Sequence, residues 1–240
     1  MASAGELFKA GKLEEAIEAL GAELRDNPAD ARRRTFLFEL LCFAGNYARA
    51  EKQLDVLAQG GAQAEMGALL YRSALRAERT RQEMFQKGEF PESGSTPHSV
   101  SGTLNGQPFQ SLTDADPRIG PRLELFAAGQ YLWIPFEHIA AIQMAPPKRL
   151  RDLLWAPATV RAGPGFRGVE LGEVLLPALT PLSWQHQDDA VRLGRATVWD
   201  ELPDGTQIPM GQKLLLVDDE EFPILELREL EIAPAPVTTT

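Results

Sequence analysis

The chain has 240 residues, 44% hydrophobic and 24% charged, the composition of an ordinary globular protein. That excludes a wholly disordered or fibrous chain, and no apolar run reaches the 18 or so residues of a membrane-spanning helix. With 24 basic against 34 acidic residues the net charge is −10, opposite to the basic surface of a broad nucleic-acid binder, and the lone cysteine, Cys42, excludes an internal disulfide and a cysteine-based zinc site.

The chain divides near residue 90. Of 18 prolines only Pro28 precedes it, and residues 1–90 carry 13 basic and 14 acidic residues against 11 and 20 in 91–240. A nearly proline-free, Ala/Leu/Glu-rich stretch predicts helices; a proline-rich one with many Val, Trp and Phe cannot be a helical bundle. The expected organisation is α+β: tetratricopeptide-like helical repeats over 1–90, a linker over 91–102, a small, mostly antiparallel β-rich domain with one helix over 103–232, and a disordered tail over 233–240. No signal peptide is expected at the N-terminus.

Ser3 and Glu6 have the spacing of a capping box, so a short helix should run to about Gly11. Leu13, Ile17, Leu20 and Leu24 then form one apolar stripe, ended by Asn27-Pro28. The pattern returns after 34 residues: Leu7 with Leu41, Gly11 with Gly45, Ala16 with Ala50, Leu20 with Leu54. That period in paired helices is the tetratricopeptide repeat. A further helix over about 63–87 should pack on the second repeat as its cap.

Repeat alignment places Arg32, Thr35, Glu39 and Cys42 on the concave surface, where such repeats hold a partner segment. Arg72, Arg76 and Arg79 form one helical stripe, which reads first as a solvated face and alternatively as a basic groove for an acidic peptide. Cys42, among apolar neighbours, reads as a small buried hydrophobe rather than a nucleophile.

Beyond the linker, Asn105-Gly106 predicts a type I′ hairpin. Asp116 and Pro117 suggest the cap and first turn of a helix ending at Gly129. Strands are expected over 131–135, 139–144, 153–160, 174–179, 196–201, 212–217 and 222–230, with Asp218-Asp-Glu-Glu221 as a solvated turn. Asp114, Asp116 and Arg118 are read as a local cap and salt bridge, or as part of a polar partner site. Trp133, Trp155, Trp184 and Trp199 are expected as core anchors, with room for one or two as interface anchors.

No catalytic constellation is present: no P-loop spacing, no Gly-x-Ser-x-Gly, no His-Glu-x-x-His. His98, His138 and His186 are scattered, and His186 with Asp188 and Asp189 is a weak metal motif. No enzymatic activity, cofactor or metal is expected. The rival readings are a generic repeat scaffold and an enzyme with its site around Asp114, Asp116 and Arg118.

Seven segments in order, 36–47, 105–109, 114–121, 131–136, 150–157, 193–199 and 211–216, resemble the ImpE/TagJ (SciE-type) family over nearly the whole chain. The family pattern carries more helical repeat before the Asn-Gly turn, a stretch that here shrinks to 89–102. The resemblance implies a cytoplasmic accessory protein of type VI secretion. It further implies binding to the contractile sheath through the small subunit TssB, with an influence on sheath disassembly by the ATPase ClpV. The candidate partner-binding residues are Arg32, Thr35, Glu39, Arg72, Arg76, Arg79, Asp114, Asp116 and Arg118.

Overall fold

In the computed structural model, residues 2–91, 98–163, 166, 168 and 170–233 are described; half of the expected linker and nearly all of the expected tail lie outside them. Five helices come first: α1 (Ala4–Lys9), α2 (Leu13–Asp26), α3 (Ala31–Phe43), α4 (Tyr47–Leu57) and α5 (Ala62–Lys87). Each is set by local chemistry. The Ser3–Glu6 capping box opens α1, and Asp30 caps α3 by accepting from the Arg33 amide at 3.0 Å. That same bond, ahead of the Arg33 side chain, holds the Asp30 carboxyl below its ordinary range. Gly11 and Gly45 turn the paired helices at φ 77° and 67°, a region that suits glycine. Ala16 and Ala50, both fully buried, let the paired helices approach closely. Gly88 closes α5 in the left-handed conformation.

The second half is β-rich: β1 (Gly102–Leu104), β2 (Gln107–Phe109), β3 (Leu112–Asp114), β4 (Arg122–Ala127), β5 (Gln130–Pro135), β6 (Ile139–Met144), β7 (Trp155–Ala162) and β8 (Gly172–Pro177) precede a short helix α6 (Asp189–Arg192). There follow β9 (Thr197–Glu201), β10 (Gln207–Gly211), β11 (Leu214–Val217), β12 (Glu220–Pro223) and β13 (Glu229–Ile232). Eight strands form an antiparallel sheet in the order β2-β1-β13-β6-β7-β8-β4-β5; β10-β9 and β12-β11-β3 make two smaller sheets.

The expected hairpin at Asn105-Gly106 is present, both residues at positive φ. So is the acidic turn, where Asp218 and Asp219 take φ 52° and 67° between β11 and β12. The helix expected over 117–129 is not formed. Residues 116–120 make a turn, in which the Ile119 and Gly120 amides donate to the Asp116 carbonyl, and β4 follows. Its period is two: Leu123 and Leu125 enter the core inside the sheet, while Glu124 and Phe126 face the helices. Ala128 and Gly129, at φ 48° and 76°, make a β4–β5 hairpin turn rather than a helix stop. Sequence reading also missed β3 and β10. The helix of the β-rich half is α6 instead, capped by Asp188.

Alternation along β7 sorts the sheet. Ala156, Ala158 and Val160 enter its internal core. Trp155, on the other face, joins the helical core, together with Phe126, Leu154 and Leu193. One hydrophobic cluster therefore spans both halves of the chain.

A buried charge network and a candidate partner interface

α5 presents Glu78, Arg81 and Gln82 to the sheet, all buried. Arg81 clamps Glu124 of β4 with two parallel bonds, Nε to Oε1 at 2.9 Å and Nη2 to Oε2 at 3.0 Å, the geometry that suits a guanidinium and a carboxylate. Its Nη2 also donates to the Leu179 carbonyl at 2.9 Å, and its Nη1 to Glu78 at 3.2 Å. Lys213 donates to Glu124 Oε2 at 2.6 Å and makes an ion contact with Asp114. Tyr131 donates to Glu124 at 2.5 Å, and Trp155 Nε1 to Glu78 at 2.8 Å.

The network holds three acids, Glu78, Asp114 and Glu124, against two cations. One negative charge is in excess, and Asp114 carries the consequence. Burial raises its carboxyl to about 7 against the pull of Lys213, and the Glu124 charge adds to the rise. For Glu124 burial also pushes upward, but Arg81 and Lys213 outweigh it and hold the group at about 2. Arg81 and Lys213 both stay charged, because neighbouring carboxylates overcome burial.

The same face of the helices carries further links. Glu39 is buried and paired with Arg151 at 3.2 Å, and the Arg151 guanidinium lies over the Tyr71 ring at 4.7 Å. Trp155 stacks on Tyr71, ring centres 6.3 Å apart. Trp184 packs against Gly45 and donates to Gln82. At the start of the array Asp189 accepts from the Leu13 amide at 2.7 Å, Arg192 reaches Glu14 at 2.6 Å, and Arg195 donates to the carbonyls of Phe8 and Lys9. Among Glu78, Arg81, Gln82 and Trp155 a cavity of about 20 Å³ remains, room for a single water.

The expectation of an open concave surface is thus corrected: the chain's own β-rich half fills that face. Glu39 and Cys42 are enclosed by it, and burial, ahead of the Glu78 charge, drives the Cys42 thiol well up and leaves it protonated. Arg32 is exposed, and Thr35 donates to the Ala31 carbonyl. Arg72 and Arg79 clamp α5 to α4 through Asp55 and Glu51, each at 2.8 Å; Arg76 stands exposed between them. Asp116 is buried and grips Arg118, which lies 4.8 Å over the Phe85 ring. Asp114, Asp116 and Arg118 are internal ties, not a polar surface. Trp155 is a buried core anchor as expected; Trp133 and Trp184 are half-buried, packed on Phe85 and Phe90 and on Gly45, while Trp199 is exposed and donates to Glu221.

Arg81, Glu124 and Lys213 were missed. The signal was in the helical period: Ala74, Ala77, Arg81 and Phe85 share one buried stripe, so a cation on that stripe called for buried acids opposite. Among the described residues no cluster of three or more His, Cys, Asp or Glu could hold a metal ion, and no helix is long and apolar enough to cross a membrane.

A second surface lies where α5 runs past the sheet. Met66, Leu69 and Leu70 are 73%, 62% and 52% exposed. Beside them a cleft of about 490 Å³ opens between Leu70, Tyr71 and Ala74 on the helix and Phe126, Pro157 and Val174 on the sheet.

Residues 106–231 match the family model described as ImpE protein, and residues 7–72 match a tetratricopeptide repeat model. The chain is 34% identical over 264 residues to the type VI secretion system accessory component TagJ of Pseudomonas aeruginosa, covering 96% of this chain and 91% of TagJ. A crystal structure of a Vibrio parahaemolyticus protein shares the fold, with a TM-score of 0.82 at 23% identity, over 96% of this chain and 97% of that one.

Proposed function

The chain belongs to the ImpE family, and from that premise we propose that it serves type VI secretion as a non-catalytic adaptor that binds the small sheath subunit TssB and influences sheath disassembly by ClpV. The observation that carries this reading is the likeness to TagJ across both halves of the chain. The repeat array supports it, since stacked helix pairs are a recurrent platform for holding another protein. The packing of this array adds a physical constraint. At Glu39 and Cys42 its expected concave side is covered by Arg151, Trp155 and Trp184, which favours capture on an outer surface. The action is reversible association with no covalent step: a rigid two-layer body presents apolar side chains, and charge at the rim sets the rate and register of encounter.

Mixing the purified chain with purified TssB from the same genome tests the reading. Co-elution as a saturable complex on size exclusion is the expected result. Separate elution at tens of micromolar of each protein would refute it.

A further inference from the structure

We propose that the first turns of α5 and the cleft beside them form the docking site for an amphipathic helix of the partner, one with an apolar stripe and with lysine or arginine along its flanks. The inference rests on the adaptor reading and assigns it a surface.

Three observations carry it. The first is continuity with the array. Each helix pair covers the apolar side of its neighbour, and the end of such an array needs a cover. From Ser73 onward the β4–β5 hairpin is that cover: Gly129 abuts Ser73 so closely that an added Cβ would sit 3.2 Å from the Ser73 Cβ, and further along Phe85 meets Trp133 at 6.0 Å. Before Ser73 the cover stops, and Met66, Leu69 and Leu70 stand bare at the place the next helix would take. Tyr71, Phe126 and Leu175 carry the shared core up to the edge of the cleft, so an occupant would extend an interface that already exists.

The second is the form of the floor. β7 is paired on both sides, with β6 and with β8, so Pro157 and Thr159 offer side chains rather than a free backbone edge. An extended segment would find no ladder to join there, whereas a helix needs only side-chain contact.

The third is charge. Glu65 on the helix and Glu173 on the sheet wall are exposed and form no ion pair among the described residues. Arg72, beside the helix wall, is held by Asp55. Among the described residues that line the cleft Glu173 alone is charged, so the sheet wall is acidic and complements a basic flank.

The test is titration of purified TssB into the full chain and its variants. Met66→Asp with Leu70→Asp should raise Kd at least tenfold. Glu65→Lys with Glu173→Lys should raise it several-fold and flatten its salt dependence. Trp199→Ala, on a distant exposed strand, should leave it unchanged. Hydrogen exchange on the wild-type chain should show protection at 62–74 and 157–160 when TssB binds, which keeps the proposal testable should a variant misfold. Wild-type binding with unchanged Kd in both double variants, or protection elsewhere, overturns the docking site and leaves the adaptor reading standing. Absence of wild-type binding overturns both. A wild-type dimer abolished by the apolar double variant would assign the site to a second copy and likewise overturn the proposal.

Discussion

At the scale of single residues, the strongest constraint is the charge network between α5 and the sheet. Removing one partner of a buried ion pair strands the other, at a cost of about 3–5 kcal/mol. Arg81→Met should therefore destabilise the chain by about that much, and adding Glu124→Gln should recover part of it; urea melts of the two variants decide, and equal losses would show that the pairing is not the cause. The network also predicts a pH dependence. Asp114 titrates at about 7 when folded against an ordinary 3.8, so it takes up a proton on folding between those values, and the stability it contributes falls as pH rises through that window. Glu124, lowered to about 2 from 4.5, has the opposite sign: its contribution is complete above 4.5 and is lost as pH falls toward 2. The wild-type chain should resist urea better at pH 5 than at pH 8, and Asp114→Asn should remove most of that difference. A variant that keeps the full pH 5 to pH 8 difference would place its origin in another group.

At the scale of elements, the repeat was legible because its signals are local. Gly11 and Gly45 at a 34-residue spacing, the small Ala16 and Ala50, and the Ser3–Glu6 box all act within a few residues of themselves. The two glycines are nonetheless unequal. A Cβ on Gly11 would meet only the Arg195 guanidinium at 3.6 Å, while on Gly45 it would lie 2.4 Å from the Trp184 ring. Both substitutions carry the roughly 1–2 kcal/mol cost of a left-handed non-glycine residue, but Gly45→Ala must also displace Trp184. Its melting temperature should therefore drop further than that of Gly11→Ala; equal drops would mean that Trp184 yields freely. β4 was misread as a helix because Asp116-Pro117 and Gly129 are sound helix boundaries taken alone. The deciding fact was an alternation six residues long, with Glu124 on the helix-facing side, and its reason is Arg81, 43 residues upstream. A sequence window cannot contain both.

At the scale of the whole molecule, the two compositional halves are plain in the sequence, but their union is not. The proline count and charge asymmetry suggest two bodies joined by a linker. The structure instead shows one core crossing from α3 and α5 to β7, with Phe38, Tyr71 and Trp155 in contact. Spacing does not reveal Trp155 as a partner of Phe38 and Tyr71, since those two contacts join positions more than eighty apart in the chain. The consequence is cooperativity. Helix loss followed by circular dichroism and loss of Trp155 burial followed by fluorescence should share one urea midpoint, and two separated transitions would contradict the shared core. Trp155→Ala should destabilise both halves together, by about 3–5 kcal/mol, read by circular dichroism and by the fluorescence of the three remaining tryptophans.

Under the proposed function the same union moves partner capture to the outside of the array, and one titration addresses that most directly. Calorimetric addition of purified TssB to the full chain should give a saturable heat that is lost in the Met66→Asp, Leu70→Asp double variant. Full binding by that variant, or no heat from the wild-type protein, would contradict the account.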